Sequence, residues 1–334
     1  MIISKTPFRI SFLGGGTDYP VWYRNNGGGK TISASIDKYC YISCRQLPPF
    51  FGFRHRIVWS KTEHVQHHDE IQHPAVREVL KFLEVPHGVS IHHDGDLPAR
   101  AGLGSSSTFT VGLLHALQAL LGRMMTKRQL ALDAIHIEQE RLQENVGSQD
   151  QVIAAYGGFN LIEFGGADHI AVHPVPMNRE RLDQFQDHLM LFFTGISRTA
   201  SEIAATQIAN THRKTAELSA MVQTVDEAIR ILTGAGPLDE FGQLLHEGWQ
   251  LKRSLTDQIS TNEIDSIYET GRRAGALGGK ILGAGGGGFI LFFVPPERKP
   301  AVRQALQPLL HVPFRFENLG SQIIHYAPDL QPVT

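Results

Sequence analysis

The segment Pro98–Ser107 constrains the fold more than any other part of the chain. It places Gly102 and Gly104 directly before three consecutive serines, and an apolar pattern at helical spacing follows from Phe109 to Leu121. Such a segment predicts a loop that leads into the N-terminus of a buried helix. The free backbone N–H groups and the dipole at that end favour an anion. We therefore expect a nucleotide phosphate here. The alternative is a serine N-cap after a tight turn.

Composition and charge exclude several classes of protein. The 334 residues carry a formal net charge of -2, and no basic stripe with interleaved aromatic residues is present. We therefore expect no nucleic-acid partner. Cys40 and Cys44 are the only cysteines, which provides neither a disulfide framework nor a zinc site. The N-terminus enters a strand pattern without a signal peptide, and no apolar run has the length of a membrane helix. These features predict a cytoplasmic protein without a membrane partner.

Strand and helix patterns alternate irregularly along the chain, which predicts an α+β fold rather than a doubly wound sheet. Strand patterns are frequent up to Thr194, and helical patterns dominate from residue 198 to about residue 276. A strand, a helix over Glu297–Leu310 and a final strand over Ile323–Tyr326 are expected after that. We place a domain boundary between residues 185 and 186, so the predicted domains are 1–185 and 186–334.

Two other glycine-rich loops do not have the context of a nucleotide motif. Gly29-Lys30-Thr31 is similar to the end of a P-loop, but Arg24 occupies the position of the required earlier glycine. The run Gly283–Gly288 fits the dinucleotide pattern of glycines formally. That pattern should open a helix, whereas a strand pattern follows here. We interpret this third glycine run, Gly283–Gly288, as a glycine turn packed against a bulky neighbour.

Carboxylates that could serve phosphoryl transfer follow the serine segment. Glu138 and Glu140 are two residues apart on a predicted helix, so only one of them can easily face a site beside the serine loop. Asp150 follows ten residues after Glu140, in a loop pattern. A serine and a glutamate could ligate a divalent cation, and an aspartate could orient or deprotonate an acceptor hydroxyl. The alternative is that these glutamates are solvated.

The N-terminal strand ends in a polar corner. Arg9 lies within this strand, and Thr17 and Asp18 follow a run of three glycines. Asp18 could accept hydrogen bonds from sugar hydroxyls. The alternative is a local turn of the kind that aspartate favours.

In this order the three clusters resemble the motifs of the GHMP kinase superfamily, which includes galactokinase, homoserine kinase and mevalonate kinase. The resemblance spans almost the whole chain and is carried by Pro7–Tyr19, Pro98–Ser107 and Lys280–Gly288. It implies a two-domain fold. An N-terminal mixed or antiparallel sheet with helices, similar to ribosomal protein S5, would pack on a C-terminal α+β sandwich.

The resemblance also implies roles in phosphoryl transfer, with ATP and Mg²⁺ as cofactors. Asp150 would be the catalytic aspartate, and Arg9 would lie near the transferring phosphoryl group. Ser106 and Glu140 would hold Mg²⁺, with Ser105 and Glu138 as the alternatives. The residues expected to contact ATP are Pro98, Gly102, Leu103, Gly104, Ser105, Ser106 and Ser107.

A finer resemblance is carried by Arg9–Phe12 with Gly14–Asp18, Glu138 with Glu140, Gly147–Gln151 and Thr194–Arg198. On these residues the chain looks most like the D-glycero-D-manno-heptose 7-phosphate 1-kinases of bacterial surface-glycan synthesis. The expected substrate is a small sugar phosphate and the protein a monomer or homodimer. Alternatives are a fucose or other hexose 1-kinase, or a non-catalytic sugar sensor on the same fold. Lys280, Arg272 and Arg273 are further candidates for the phosphate of the sugar, after Arg198. The expected substrate-binding residues are Thr17, Asp18, Arg198, Gly285 and Gly286.

Overall fold

Two β-sheets and eleven α-helices make up the described part of the chain. The computed structural model describes residues 1–99, 101–166, 169–196 and 200–328. The larger sheet has eight strands: β1 (Ile2–Leu13), β2 (Gly29–Gln46), β3 (His55–Val58), β4 (Thr62–Val65), β5 (Val89–Gly95), β6 (Phe159–Phe164), β7 (Ile170–Pro174) and β12 (Gln322–Tyr326). The smaller sheet has four: β8 (Leu189–Phe193), β9 (Gly278–Ile281), β10 (Phe289–Phe293) and β11 (Leu310–His311).

The long strand β2 organises the larger sheet. Most of its length pairs antiparallel with β1, from Ile2 opposite Cys44 to Leu13 opposite Ile32. The other edge of β2 divides, because its first half pairs with β6 and its second half with β5. Arg9 lies opposite Ser35 of β2, on a strand that runs directly into the glycine loop at residues 14–16.

The helices cover these sheets and connect them. Their bounds are α1 (Pro20–Tyr23), α2 (Pro74–Phe82), α3 (Ser105–Leu120), α4 (Lys127–His136), α5 (Gln149–Tyr156), α6 (Arg179–Asp187), α7 (Ala200–Asn210), α8 (Thr215–Thr233), α9 (Asp239–Ser254), α10 (Asn262–Arg273) and α11 (Lys299–Ala305). Helix α3 packs across β1 and β2. A π-helical turn, Ile137–Arg141, continues α4.

A cluster of aromatic side chains joins the two sheets. The ring of Phe12, on β1, makes an edge contact with Phe241 on α9 at a centroid distance of 6.0 Å. Phe185 contacts Phe241 at 4.8 Å and Phe293, on β10, at 5.8 Å. All four rings are fully buried. Because this core is shared, strand β1 and the helices of the second half keep a fixed separation, which defines the cleft between them.

Three predictions of local structure differ from the structure. Asp150, expected in a loop, lies in the first turn of α5. The helix expected over Glu297–Leu310 ends at Ala305, because Pro308 lacks an N–H group and cannot continue it. The boundary placed between residues 185 and 186 falls inside α6. The last strand, β12, returns to the first domain and pairs with β1 at the edge of the larger sheet.

Candidate active site

Helix α3 begins with its first turn free of any side-chain cap. Its N-cap is Gly104, with a positive φ of 76°, and the three serines are the first residues inside the helix. The serine N-cap considered above is therefore wrong, because a glycine holds that position. The first turn contains no acidic residue. The backbone N–H groups at this helix end can thus receive an anion.

The third glycine run lies directly against this phosphate loop. A Cβ atom on Gly102 would lie 2.4 Å from the carbonyl oxygen of Leu282, and one on Gly288 would lie 2.2 Å from that of Ala101. The backbone N–H of Phe289 donates to Ala101 O at 3.1 Å. The glycines are needed because two main chains approach within contact distance. The interpretation as a packed turn fits this arrangement, and the bulky neighbour is the phosphate loop itself.

Arg9 and Asp150 form a bidentate ion pair in front of the helix end. Arg9 Nε donates to Asp150 Oδ1 at 2.7 Å, and Arg9 Nη2 donates to Oδ2 at 2.6 Å. Arg9 Nη1 also donates to the carbonyl oxygen of Gly102 at 2.7 Å. A Cβ atom on Gly104 would lie 3.3 Å from Asp150 Oδ2, so the carboxylate sits beside the first turn of α3. Two parallel hydrogen bonds fix the position of this carboxylate.

Asp18 occupies a second buried position in the same cleft. Its Oδ1 accepts from the N–H of Gly16 at 2.8 Å, and its Oδ2 accepts from the N–H of Gln149 at 3.4 Å. Burial raises the pKa of Asp18, and the negative charge of Asp150 adds to that rise. A Cβ atom on Gly147 would lie 1.9 Å from Asp18 Oδ2. Only glycine fits at residue 147.

Two lysines from the second half of the chain complete the wall of the cleft. Lys252, on α9, donates to the carbonyl oxygen of Gly15 at 3.2 Å. Lys280, on β9, donates to the carbonyl oxygen of Phe12 at 2.9 Å. Sequence reasoning named Lys280 as a candidate but missed Lys252, which sits in an ordinary amphipathic helix without a local motif.

The cleft encloses about 320 Å³ between the two halves of the molecule. Ser11 and Tyr19 line it from the first half of the chain, and Ser201 and Ala284 line it from the second half. Its lining brings together Arg9, Asp18, Gly102, Gly104, Ser105, Ser106, Ser107, Asp150, Lys252 and Lys280. A phosphate loop, a fixed carboxylate and a set of cations thus share one concave site, an arrangement suited to transfer between two bound molecules.

Comparisons with known proteins agree with this geometry. The model for the GHMP kinases N terminal domain matches residues 71–158, and the model for the GHMP kinases C terminal domain matches residues 226–309. The chain is 30% identical to D-glycero-alpha-D-manno-heptose 7-phosphate kinase of Campylobacter jejuni, over 92% of this chain and 93% of that protein. The chain belongs to the GHMP kinase family. The predicted enzyme class, a sugar kinase, is confirmed, and the family implies ATP as the phosphoryl donor.

Solved structures share the fold of this GHMP kinase. A D-glycero-D-manno-heptose 1-phosphate kinase from Bacteroides thetaiotaomicron superposes with a TM-score of 0.77 at 26% identity, over 97% of this chain and 99% of that one. A putative sugar kinase from Campylobacter jejuni superposes with a TM-score of 0.69 at 27% identity, over 97% of this chain and 98% of that one. The predicted two-domain α+β fold is confirmed. No helix in the described ranges is long and apolar enough to span a membrane.

The structure distinguishes between the two candidate glutamates. Glu140 is exposed, whereas Glu138 is fully buried in the π-helical turn. Glu138 Oε2 accepts from Ser107 Oγ at 2.7 Å and also from Gln151 Nε2. Burial raises the pKa of Glu138 to about 7. Helical geometry thus turns only Glu138 towards the phosphate loop, which favours the alternative over Glu140 as the proposed metal ligand.

Several other expected site residues lie away from the cleft. The hydroxyl of Thr17 is buried and bonded to the backbone, with Oγ1 2.8 Å from Gly14 O and accepting from Lys30 N at 3.1 Å. It holds the glycine loop and does not reach the cleft. Gly285 and Gly286 pack against Ile259, since Gly286 N donates to Ile259 O at 2.9 Å.

Four further candidates do not line the cleft either. Pro98, before the glycines of the phosphate loop, is exposed, and Leu103, between Gly102 and Gly104, is buried in the core. On α10, Arg273 is exposed and Arg272 is hydrogen-bonded to the Ala276 carbonyl. Arg198 lies outside the described residues.

Proposed function

We propose that this kinase transfers the γ-phosphoryl group of ATP to the anomeric hydroxyl of D-glycero-D-manno-heptose 7-phosphate, which gives the 1,7-bisphosphate. The observation that carries the proposal is the Arg9–Asp150 pair, fixed in front of the uncapped N-terminus of α3. The Campylobacter jejuni relative supports the choice of acceptor, because its name assigns it a heptose 7-phosphate.

The chemistry follows from the positions of these groups. The N–H groups of the first turn of α3 would hold the phosphates of the donor. Asp150 would accept a hydrogen bond from the anomeric hydroxyl and take its proton as that oxygen attacks. Arg9 holds the carboxylate in place and contributes positive charge beside the transferring phosphoryl group, where the loose transition state needs compensation. Asp18 would accept hydrogen bonds from the sugar hydroxyls.

The residues present fit a magnesium ion. Glu138 Oε1 is buried and has no hydrogen-bond partner among the described residues, and the Ser106 hydroxyl is exposed to the cleft. No group of three or more His, Cys, Asp or Glu side chains in the described ranges could hold a metal ion. That agrees with Mg²⁺, which is commonly held by one or two carboxylates together with substrate phosphates and water. When bound, the ion would neutralise charge on the donor phosphates.

A matched pair of substitutions tests the assignment of the metal ligand. Glu138→Gln should raise the Mg²⁺ concentration for half-maximal activity by about tenfold or more, because an amide oxygen is a weaker ligand than a carboxylate. Glu140→Gln should leave that concentration unchanged, since Glu140 is exposed. The measurement is a Mg²⁺ titration of the initial rate at saturating ATP. If only Glu140→Gln raised that concentration, the metal ligand would be Glu140 and not Glu138.

The acceptor is tested by a phosphoryl-transfer screen. The full chain with Mg·ATP is offered heptose 7-phosphate, fucose, galactose and mannose, and the products are identified by ³¹P NMR. We expect a new anomeric phosphate on heptose 7-phosphate, with a kcat/KM at least tenfold above that of the other sugars. Preference for fucose would favour the function of another relative, the L-fucokinase/L-fucose-1-P guanylyltransferase of Bacteroides fragilis, which is 25% identical over 91% of this chain and 35% of that protein. No transfer to any of the four sugars would favour the alternative of a non-catalytic sugar sensor on the same fold.

A further inference from the structure

Two buried ammonium groups in the wall of the cleft have no counter-ion among the described residues. The exposed fraction is 6% for Lys252 and 7% for Lys280. In the described part of the chain, neither is in an ion pair with a carboxylate, whereas Arg9 of the same cleft is paired with Asp150. Fully buried lysines are rare in proteins unless they are paired, because an isolated charge loses its hydration without compensation.

The hydrogen bonds of the two lysines leave donors unused. Lys252 Nζ donates to Gly15 O at 3.2 Å and to Gln207 Oε1 at 2.9 Å, and Lys280 Nζ donates to Phe12 O at 2.9 Å. An ammonium group has three N–H donors, so one donor of Lys252 and two of Lys280 find no partner among the described residues. Both groups line the cleft, so these donors are available to a bound molecule.

The surroundings of the ammonium groups add to the need for an anion. Burial lowers the pKa of Lys252 to about 8 and that of Lys280 to about 7. Repulsion from Lys252 lowers the pKa of Lys280 further, and repulsion from Arg9 lowers the pKa of both lysines. Asp18 raises the pKa of both, and Asp150 raises that of Lys252. A dianionic group between the lysines would reverse these effects and hold both in the charged form.

The position of the lysines indicates which molecule brings the anion. We assign the donor phosphates to the N-terminus of α3, on the first half of the chain. The lysines come from α9 and β9 and contact the carbonyl groups of Phe12 and Gly15, beside the loop that carries Asp18. This is the side of the cleft that we assign to the sugar.

We propose that Lys252 and Lys280 together bind a phosphate group carried by the acceptor, so that the substrate class of this kinase is a phosphorylated sugar. The inference rests on the proposed function for the location of the acceptor. It adds the residues that select a sugar phosphate over the corresponding free sugar. It also gives Lys280, which precedes the third glycine run, a role in binding.

Calorimetric binding without nucleotide tests this inference. The full chain is titrated with heptose 7-phosphate and with the same heptose lacking its phosphate, for wild type, Lys252→Met and Lys280→Met. Lys299→Met is the matched control, because its ammonium also donates to a backbone carbonyl, that of Asp187, but lies outside the cleft. We expect wild type and the control to bind heptose 7-phosphate at least tenfold more tightly than the heptose that lacks the phosphate. Each cleft substitution should remove most of that preference and change ATP affinity by less than threefold.

Two results would overturn the inference. One is a preference for the phosphorylated sugar that survives both substitutions. The other is a loss of ATP affinity equal to the loss of sugar-phosphate affinity, which would assign the lysines to the donor. Should Lys280→Met fail to fold by circular dichroism, Lys280→Gln replaces it, because an amide can still donate to Phe12 O while the charge is lost.

The binding experiment is independent of turnover. Tight binding through both lysines without phosphorylation of C1 would contradict the proposed function and support this inference. Phosphorylation of C1 with a preference unaffected by both substitutions would support the proposed function and overturn this inference.

Discussion

Asp150→Asn should reduce kcat by about 10²- to 10⁴-fold, the range that a positioned proton acceptor contributes. An amide cannot take the proton of the anomeric hydroxyl, and it also loses one of the two charge-assisted hydrogen bonds from Arg9. The affinity for ATP should change by less than threefold, because the first turn of α3 remains in place. Steady-state kinetics with a coupled ADP assay, together with nucleotide binding by calorimetry, measures both quantities.

The control for this variant is Asp183→Asn, which breaks another arginine–aspartate pair. Asp183 Oδ2 accepts from Arg179 Nε at 2.8 Å, but this pair lies on the exposed surface of α6. We expect unchanged kinetics, because exposed ion pairs contribute little to stability and this one does not reach the cleft. If Asp150→Asn retained a kcat within threefold of wild type, Asp150 would be neither the proton acceptor nor the group that orients the acceptor.

Gly147→Ala should have the second largest effect, through the position of Asp18. The new methyl group would lie 1.9 Å from Asp18 Oδ2 and 2.6 Å from its Cγ, so the buried carboxylate must move away from its hydrogen bonds to Gly16 and Gln149. A displacement of about 1 Å in a positioning group costs about 10²-fold in rate. We expect kcat/KM for the sugar to fall by that factor and the KM for ATP to change far less. Overpacking should also cost about 1–3 kcal/mol of stability.

Gly166→Ala provides the matched comparison for this substitution. A Cβ atom at Gly166 meets nothing within 4 Å, and residue 166 is exposed. Its kinetics and melting temperature should equal those of wild type. Equal kcat/KM for the sugar in Gly147→Ala and wild type would show that Asp18 does not position the acceptor.

Much of the site could be predicted from local sequence. The glycine and serine segment before an apolar helix pattern predicted the phosphate loop, because the requirements of a helix N-terminus are local. The same holds for Arg9, Asp18 and Asp150, which the structure brings into one cleft. Their order along the chain carried the resemblance to the family, and the family models match both halves.

Other features depended on contacts between distant residues. Glu138 and Glu140 are equivalent in sequence, and the packing of the π-helical turn against α3 decides which of them is buried. Thr17 belongs to a polar motif, yet its hydroxyl bonds to the main chain of residues 14 and 30. Lys252 has no local signal, because its place in the cleft comes from the packing of α9 on the glycine loop.

The sequence by itself determined the family, the donor-phosphate loop and the carboxylate in front of it, since each depends on a short segment whose backbone requirements are local. Only the tertiary structure decided which glutamate accompanies that loop, which hydroxyls are used by the backbone, and that two lysines more than 230 residues from β1 complete the cleft. Burial and charge compensation are properties of the packed molecule. A side chain gains or loses them through neighbours that the local sequence does not contain.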